Sequence, residues 1–172
     1  MQRRTYMKTA TLDKDLFKAG YSVYLIVLTN NNEHYYYIGQ TGDRHHLSAR
    51  PIYYRISGHL GYADSSSENQ FVKGLQNKKP NLTNKHLLFE FINKSEINIH
   101  YVMLNEFVEG IERPAHREKV VEVEELEQFL INKFKSRPNY FLLNKKVIPK
   151  SAIPSSILIE RIKPLLQIIE QY

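Results

Sequence analysis

Tyr24, Tyr37, Arg55, His59 and Glu127 are the residues whose types and positions offer chemistry in this chain. The two tyrosines lie in consecutive strand-like runs, "SVYLIVLT" (22–29) and "YYYIG" (35–39). Each phenol brings a hydroxyl that must find a partner or stay near water. The runs are separated by "NNNEH", and asparagine tolerates the positive φ of tight hairpin turns. A turn at Asn30–Asn31 puts Tyr24 directly opposite Tyr37, whereas a turn at Asn31–Asn32 makes the pair diagonal. In both registers the two rings share a face. The pattern fits a stabilising cross-strand pair as well as tyrosines used for their oxygens.

Arg55 and His59 are four residues apart in "PIYYRISGHL" (51–60) and project from one side of a helix. Ile52, Ile56 and Ala63 mark that helix's inner stripe, and the Arg/His pair runs along its edge. Such a pair is commonly solvated surface. Glu127 is more informative. At ~100° per residue, Val120, Val123, Leu126, Leu130, Ile131 and Phe134 form one arc, and Glu127 falls inside it. A carboxylate in an inward stripe is costly unless it is paired with a cation or holds a metal. Both roles stay open at this point.

The elements that must position these residues follow from the pattern around them. After the hairpin, "TGDRHHLSARP" is a loop, and Pro51 starts a helix running to about Leu60. "GYADSSSE" is a break, followed by a helix from about Ser67 to Asn77. "LLFEFI" (87–92) and "INIHYVML" (97–104) are predicted strands, "ERPAHRE" (112–118) a break, and 118–136 the longest helix. The tail from Pro154 is an apolar helix interrupted or kinked at Pro164, expected to cover the core.

The 172 residues suit one domain with an appended element, and 42% hydrophobic with 24% charged residues is a globular composition. The absence of cysteine excludes disulfides, thiolate metal sites and cysteine nucleophiles. No run reaches the ~18 apolar residues of a membrane span, and the N-terminus lacks a signal-peptide core. A soluble, cytoplasmic protein with no membrane partner is the expectation. The net charge of +6 permits a polyanionic partner without demonstrating one. His34, His45 and His46 lack metal-ligand spacing and are read as loop residues.

Taken together, these residues resemble the GIY-YIG nuclease family. "SVY" (22–24) stands at the first tripeptide, with Ser22 replacing its glycine, and "YIG" (37–39) is the second, intact. Arg55 and His59 match the family's helix arginine and following histidine. "LEQFLINKF" (126–134) is similar to the helix that carries the metal-binding glutamate, which falls on Glu127. Asn139 or Asn144, with Asn144 preferred, matches the late asparagine. The likeness spans roughly residues 21–145. The stretches between Gly39 and Arg55 and between His59 and Glu127 are longer than in compact members.

The resemblance implies an α+β fold: a small three-stranded, or slightly larger, antiparallel sheet flanked by helices, with loop insertions and a C-terminal helical extension. Residues 1–20 would be an N-terminal arm, 21–148 the nuclease-like domain and 149–172 the extension packed on it. It further implies a metal-dependent DNA endonuclease, using Mg²⁺ (or Mn²⁺) on Glu127. Arg55 would hold phosphate oxygens, Tyr24 would take a proton from the attacking water, Tyr37 would orient water or phosphate, and His59 would assist proton traffic. Asn144 joins this catalytic set. Gly39, Gln40, Arg44, Arg50, Lys73, Lys78 and Lys79 are the residues expected to meet nucleic acid. A homodimer is implied if both strands are cut. A nucleic-acid-binding module of the same fold without catalysis is the alternative.

Overall fold

The computed structural model describes residues 11–61, 69–82, 84–134, 138–145 and 154–171. Its centre is the hairpin of β1 (Gly20–Asn30) and β2 (Glu33–Gln40). Asn31 and Asn32 form the turn with φ of 47° and 64°, the positive values of the hairpin turns that asparagine adopts at low cost. Position of the turn fixes the register: Asn30 lies opposite Glu33, Tyr24 opposite Gly39 and Ile26 opposite Tyr37. Tyr24 and Tyr37 are therefore diagonal neighbours on one face.

On the other side of β1 runs β3 (Glu96–Glu106), antiparallel, with a bulge beside Tyr21 and Ser22. A short β4 (Tyr140–Leu142) pairs with His34–Tyr36 of β2 in parallel. The four-stranded order is β3-β1-β2-β4. The sheet is thus mixed, not wholly antiparallel as expected. The helices are α1 (Ile52–Leu60), α2 (Gln70–Lys78), α3 (Lys85–Asn93), α4 (Arg113–Lys133), α5 (Ser156–Arg161) and α6 (Lys163–Gln171).

Helices cover both faces of the hairpin, which is why β1 is apolar on both parities. On one face Val23, Leu25, Tyr36 and Ile38 meet Val123, Leu126 and Leu130 of α4 and Leu165 and Ile169 of α6. On the other, Tyr24, Ile26, Tyr35 and Tyr37 meet Ile52 and Ile56 of α1 and Phe71 and Leu75 of α2. Tyr35 and Tyr36 are fully buried core rings on opposite faces.

Two segments differ from the sequence expectation. "LLFEFI" belongs to α3, a helix and not a strand: Asn84 caps it by accepting from the Leu87 amide at 3.0 Å. Leu88, Phe91 and Ile92, at helical spacing, pack on the tyrosine-side core. "ERPAHRE" is the start of α4 and not a break, with Pro114 in its first turn, where no amide is needed. The tail helix is interrupted at Ile162, before Pro164, which separates α5 from α6. Ala63 lies outside the described residues. Among the described residues no helix is long and apolar enough to cross a membrane.

Candidate active site

The hairpin and α1 bring four of the five residues together. Tyr24 is fully buried, and its hydroxyl lies 2.9 Å from Nε2 of His59. Tyr37 packs edge-on against the same imidazole, with ring centroids 4.6 Å apart, and against Phe71 at 5.8 Å. Arg55, one turn before His59, carries its charge beside Tyr24, Tyr37 and Glu127 and acts on the ionisation of all three. Its Nε is buried with no hydrogen-bond partner among the described residues. A buried donor left open this way suits an anionic ligand.

Asn69 fixes the state of His59. Its Nδ2 donates to the carbonyls of Gly58 and His59 at 3.1 Å, which leaves its Oδ1 facing His59 Nδ1 at 3.3 Å. An amide oxygen only accepts, so Nδ1 carries the imidazole proton. Burial, assisted by the charge of Arg55, pushes the His59 pKa down to about 4. Neutral His59 therefore offers the Nε2 lone pair, and the Tyr24 hydroxyl donates to it.

Tyr24's phenol is in turn pushed well above its ordinary value, first by burial and then by Tyr37 and Glu127, with Arg55 opposing. Tyr37 shifts the same way through burial and Glu127. Both phenols keep their protons at neutral pH. A free Tyr24 phenolate, the state in which it would act as base by itself, is not the state this environment favours.

Glu127 comes from the far side. The apolar stripe of α4 packs on the sheet face opposite the two tyrosines, yet the Glu127 carboxylate raises both phenols and is itself acted on by Arg55. The topology leaves a way for this. β4 covers β2 only at His34–Tyr36, so among the described residues no strand lies outside Tyr37–Gln40, and at this end Gly42 lies close to Val120 and Val123 of α4. Burial raises the Glu127 pKa to about 7, with Arg55 pulling down and Glu124 pushing up.

Asn144 bonds to the backbone of β2. Its Oδ1 accepts from the Ile38 amide at 2.8 Å and its Nδ2 donates to the Ile38 carbonyl at 2.7 Å. It continues β4's pairing with one side chain and so positions the "YIG" backbone. Asn139 is a turn residue at φ 66° whose carbonyl accepts from the His34 amide at 2.7 Å.

The residues expected to meet nucleic acid divide. Gly39 is buried, and a Cβ there would collide with the Tyr24 ring and hydroxyl, so this glycine makes room for the tyrosine. Gln40 turns back to accept from the Gly42 amide. Lys79 is tied to Glu33 at 2.6 Å and Arg44 to Glu124, so both cations are neutralised within the chain. Arg50 lies exposed over the Tyr54 ring, and Lys73 and Lys78 are exposed on α2.

His45 and His46 lie in the loop as expected, their backbone amides donating to Asp43, whereas His34, expected in a loop, lies in β2 with its ring stacked on Tyr140. No cluster of three metal-binding side chains occurs among the described residues.

Two contributors were missed. Asn69 is legible as the cap of α2, accepting from the Val72 amide at 3.3 Å; its grip on His59 is tertiary and has no local signal. His116 is buried between the Tyr21 hydroxyl, 2.6 Å from Nδ1, and the Asp43 carbonyl, 2.8 Å from Nε2. A carbonyl only accepts, so Nε2 carries the proton and Tyr21 donates to Nδ1. The pair anchors the loop after β2 to α4.

Compared with known protein families, with curated proteins and with solved structures, the chain finds no match.

Proposed function

We propose that this protein is a metal-dependent endonuclease of GIY-YIG type that hydrolyses phosphodiester bonds in DNA. What supports the reading is that Tyr24 and Tyr37 both touch the neutral His59, that Arg55 beside them has an open buried donor, and that the Glu127 carboxylate acts on the ionisation of both tyrosines. A core packed for stability alone has little use for a carboxylate whose burial raises its pKa this far.

In this mechanism the attacking water gives its proton to the Tyr24 oxygen while the Tyr24 proton passes to Nε2 of His59. Asn69 holds the imidazole so that Nε2 faces Tyr24 throughout. The new P–O bond forms as the opposite P–O bond breaks, and the leaving oxygen is protonated from solvent. Arg55 binds the non-bridging oxygens as their charge grows, and its planar fork suits them better than an ammonium would. Tyr37 sets the width of the site beside His59.

A single carboxylate is a poor cage for a tightly chelated metal but fits Mg²⁺, which keeps waters and shares substrate phosphate oxygens. Glu127 would hold it, and the ion supplies charge neutralisation at the phosphate and the leaving oxygen.

The test is incubation of supercoiled plasmid, flap, single-stranded DNA and RNA with the protein, with Mg²⁺ or with EDTA. Nicking or strand scission of DNA with Mg²⁺ alone is the expected result. Binding without scission in any arm would assign the chain to a catalytically silent nucleic-acid-binding module.

A further inference from the structure

We propose that the outer face of α1 is a track for an unpaired DNA strand leading into the candidate site, with Tyr54 as a stacking platform and Gly58 as a bare floor. This rests on the nuclease reading and names the form of substrate it takes.

Tyr54 is 54% exposed, and the Arg50 guanidinium sits 4.7 Å from its ring centroid. The next residue back, Tyr53, points to another side of the helix, where it is 49% exposed and tilted against the equally exposed Phe17 at 5.0 Å. A single exposed aromatic needs no explanation, but an exposed ring with a guanidinium held over it pairs a stacking face with a positive charge.

Gly58 supplies a separate observation. It lies within α1, and a Cβ placed on it meets nothing within 4 Å among the described residues. Glycine inside a helix is less favourable than alanine, and no packing within the described chain requires it here. What the bare position offers is close approach from outside.

Tyr54 and Gly58 are four apart and form one strip, and Arg55 and His59 form the adjacent strip one residue further round. A strand whose base stacks on Tyr54 and whose backbone passes over Gly58 is therefore delivered next to Arg55. Arg50 adds a positive charge that complements its phosphates. The base must be unpaired, because in a duplex the base faces are covered by their neighbours. Aromatic stacking is sequence-tolerant, so the track selects strand state and not sequence.

The test uses the full chain in EDTA, with anisotropy of a fluorescein-labelled oligothymidine and of a matched duplex of equal length. Wild type should bind the single strand. Tyr54→Ala should weaken that binding roughly tenfold and leave duplex binding within about twofold. Gly58→Gln, a better helix former, should raise the melting temperature and still weaken single-strand binding. Equal losses on both probes, unchanged binding in Tyr54→Ala, or a stabilised Gly58→Gln that binds normally would each overturn the track. Plasmid nicking with Mg²⁺ is measured alongside. Nicking by a wild type whose single-strand binding ignores Tyr54 would sink the track and spare the nuclease reading. Strand binding as described with no Mg²⁺-dependent scission of any substrate would do the reverse.

Discussion

The Tyr24 hydroxyl donates to Nε2 of His59 across 2.9 Å, joining β1 to α1. Because the partner nitrogen of that imidazole is held by Asn69, the direction of the hydrogen bond is fixed. Tyr24→Phe removes only the oxygen and keeps the ring over Gly39. It should lower the cleavage rate by about 10²–10⁴ while DNA binding stays near wild type, measured by single-turnover cleavage and by anisotropy.

Asn69 has two duties that can be separated. Asn69→Ala loses both the α2 cap and the hold on His59, and should cost about 1 kcal/mol of stability together with most of the activity. Asn69→Ser restores a capping oxygen on a side chain too short to hold the imidazole as well. It should recover the melting temperature without recovering the cleavage rate. Recovery of both by serine would reduce Asn69 to a helix cap.

Asn144 is argued to act on the backbone of Ile38 and not on substrate. Asn144→Ala should therefore lower stability by about 1–3 kcal/mol through two lost hydrogen bonds to partly buried groups. The activity remaining at a temperature where the variant is folded should far exceed that of Tyr24→Phe. Loss of activity as deep as Tyr24→Phe with an unchanged melting curve would return Asn144 to the reacting groups.

Glu127 sets the pH behaviour. Its folded pKa, about 7, lies above the ordinary carboxyl value of 4.5, so folding favours the protonated form. Its contribution is fully present below pH 4.5 and is lost as pH rises through about 7. His59 runs the other way: its folded pKa of about 4 lies below 6.5, and its contribution is present above pH 6.5 and lost as pH falls toward 4. The two offset one another between these limits. Comparing wild type with Glu127→Gln in EDTA isolates the first: the variant's stability advantage, read from its melting curve, should be small at pH 5 and grow toward pH 8 by about 2–3 kcal/mol. An advantage that shrinks over that range would mean the carboxylate is a stabilising partner of Arg55.

Much of the site was legible because it rests on local pattern. The hairpin follows from three asparagines between β-forming runs, and the inward stripe of α4 singles out Glu127. The unread parts depend on distant partners or on ambiguous runs. "LLFEFI" is short and apolar at all but Glu90, which periodicity cannot assign; only its cap at Asn84 tells. β4 is three residues long and gains its place by pairing with β2. Lys79 looked free for phosphate because Glu33, its partner, is 46 residues away in the chain. The Tyr21–His116 contact spans 95 residues and leaves no trace in sequence spacing.

The central claim is that Glu127 is a functional carboxylate held at a cost to stability, and one variant tests it on both counts. Glu127→Gln keeps nearly the same volume and removes the charge that would hold the metal. Plasmid nicking with Mg²⁺ and thermal melting at pH 8 in EDTA are measured on the same preparation. The account predicts that nicking is abolished and that the melting temperature lies above that of wild type. A Glu127→Gln protein that melts well below wild type and still nicks plasmid with Mg²⁺ would contradict it, leaving Glu127 as half of a structural ion pair.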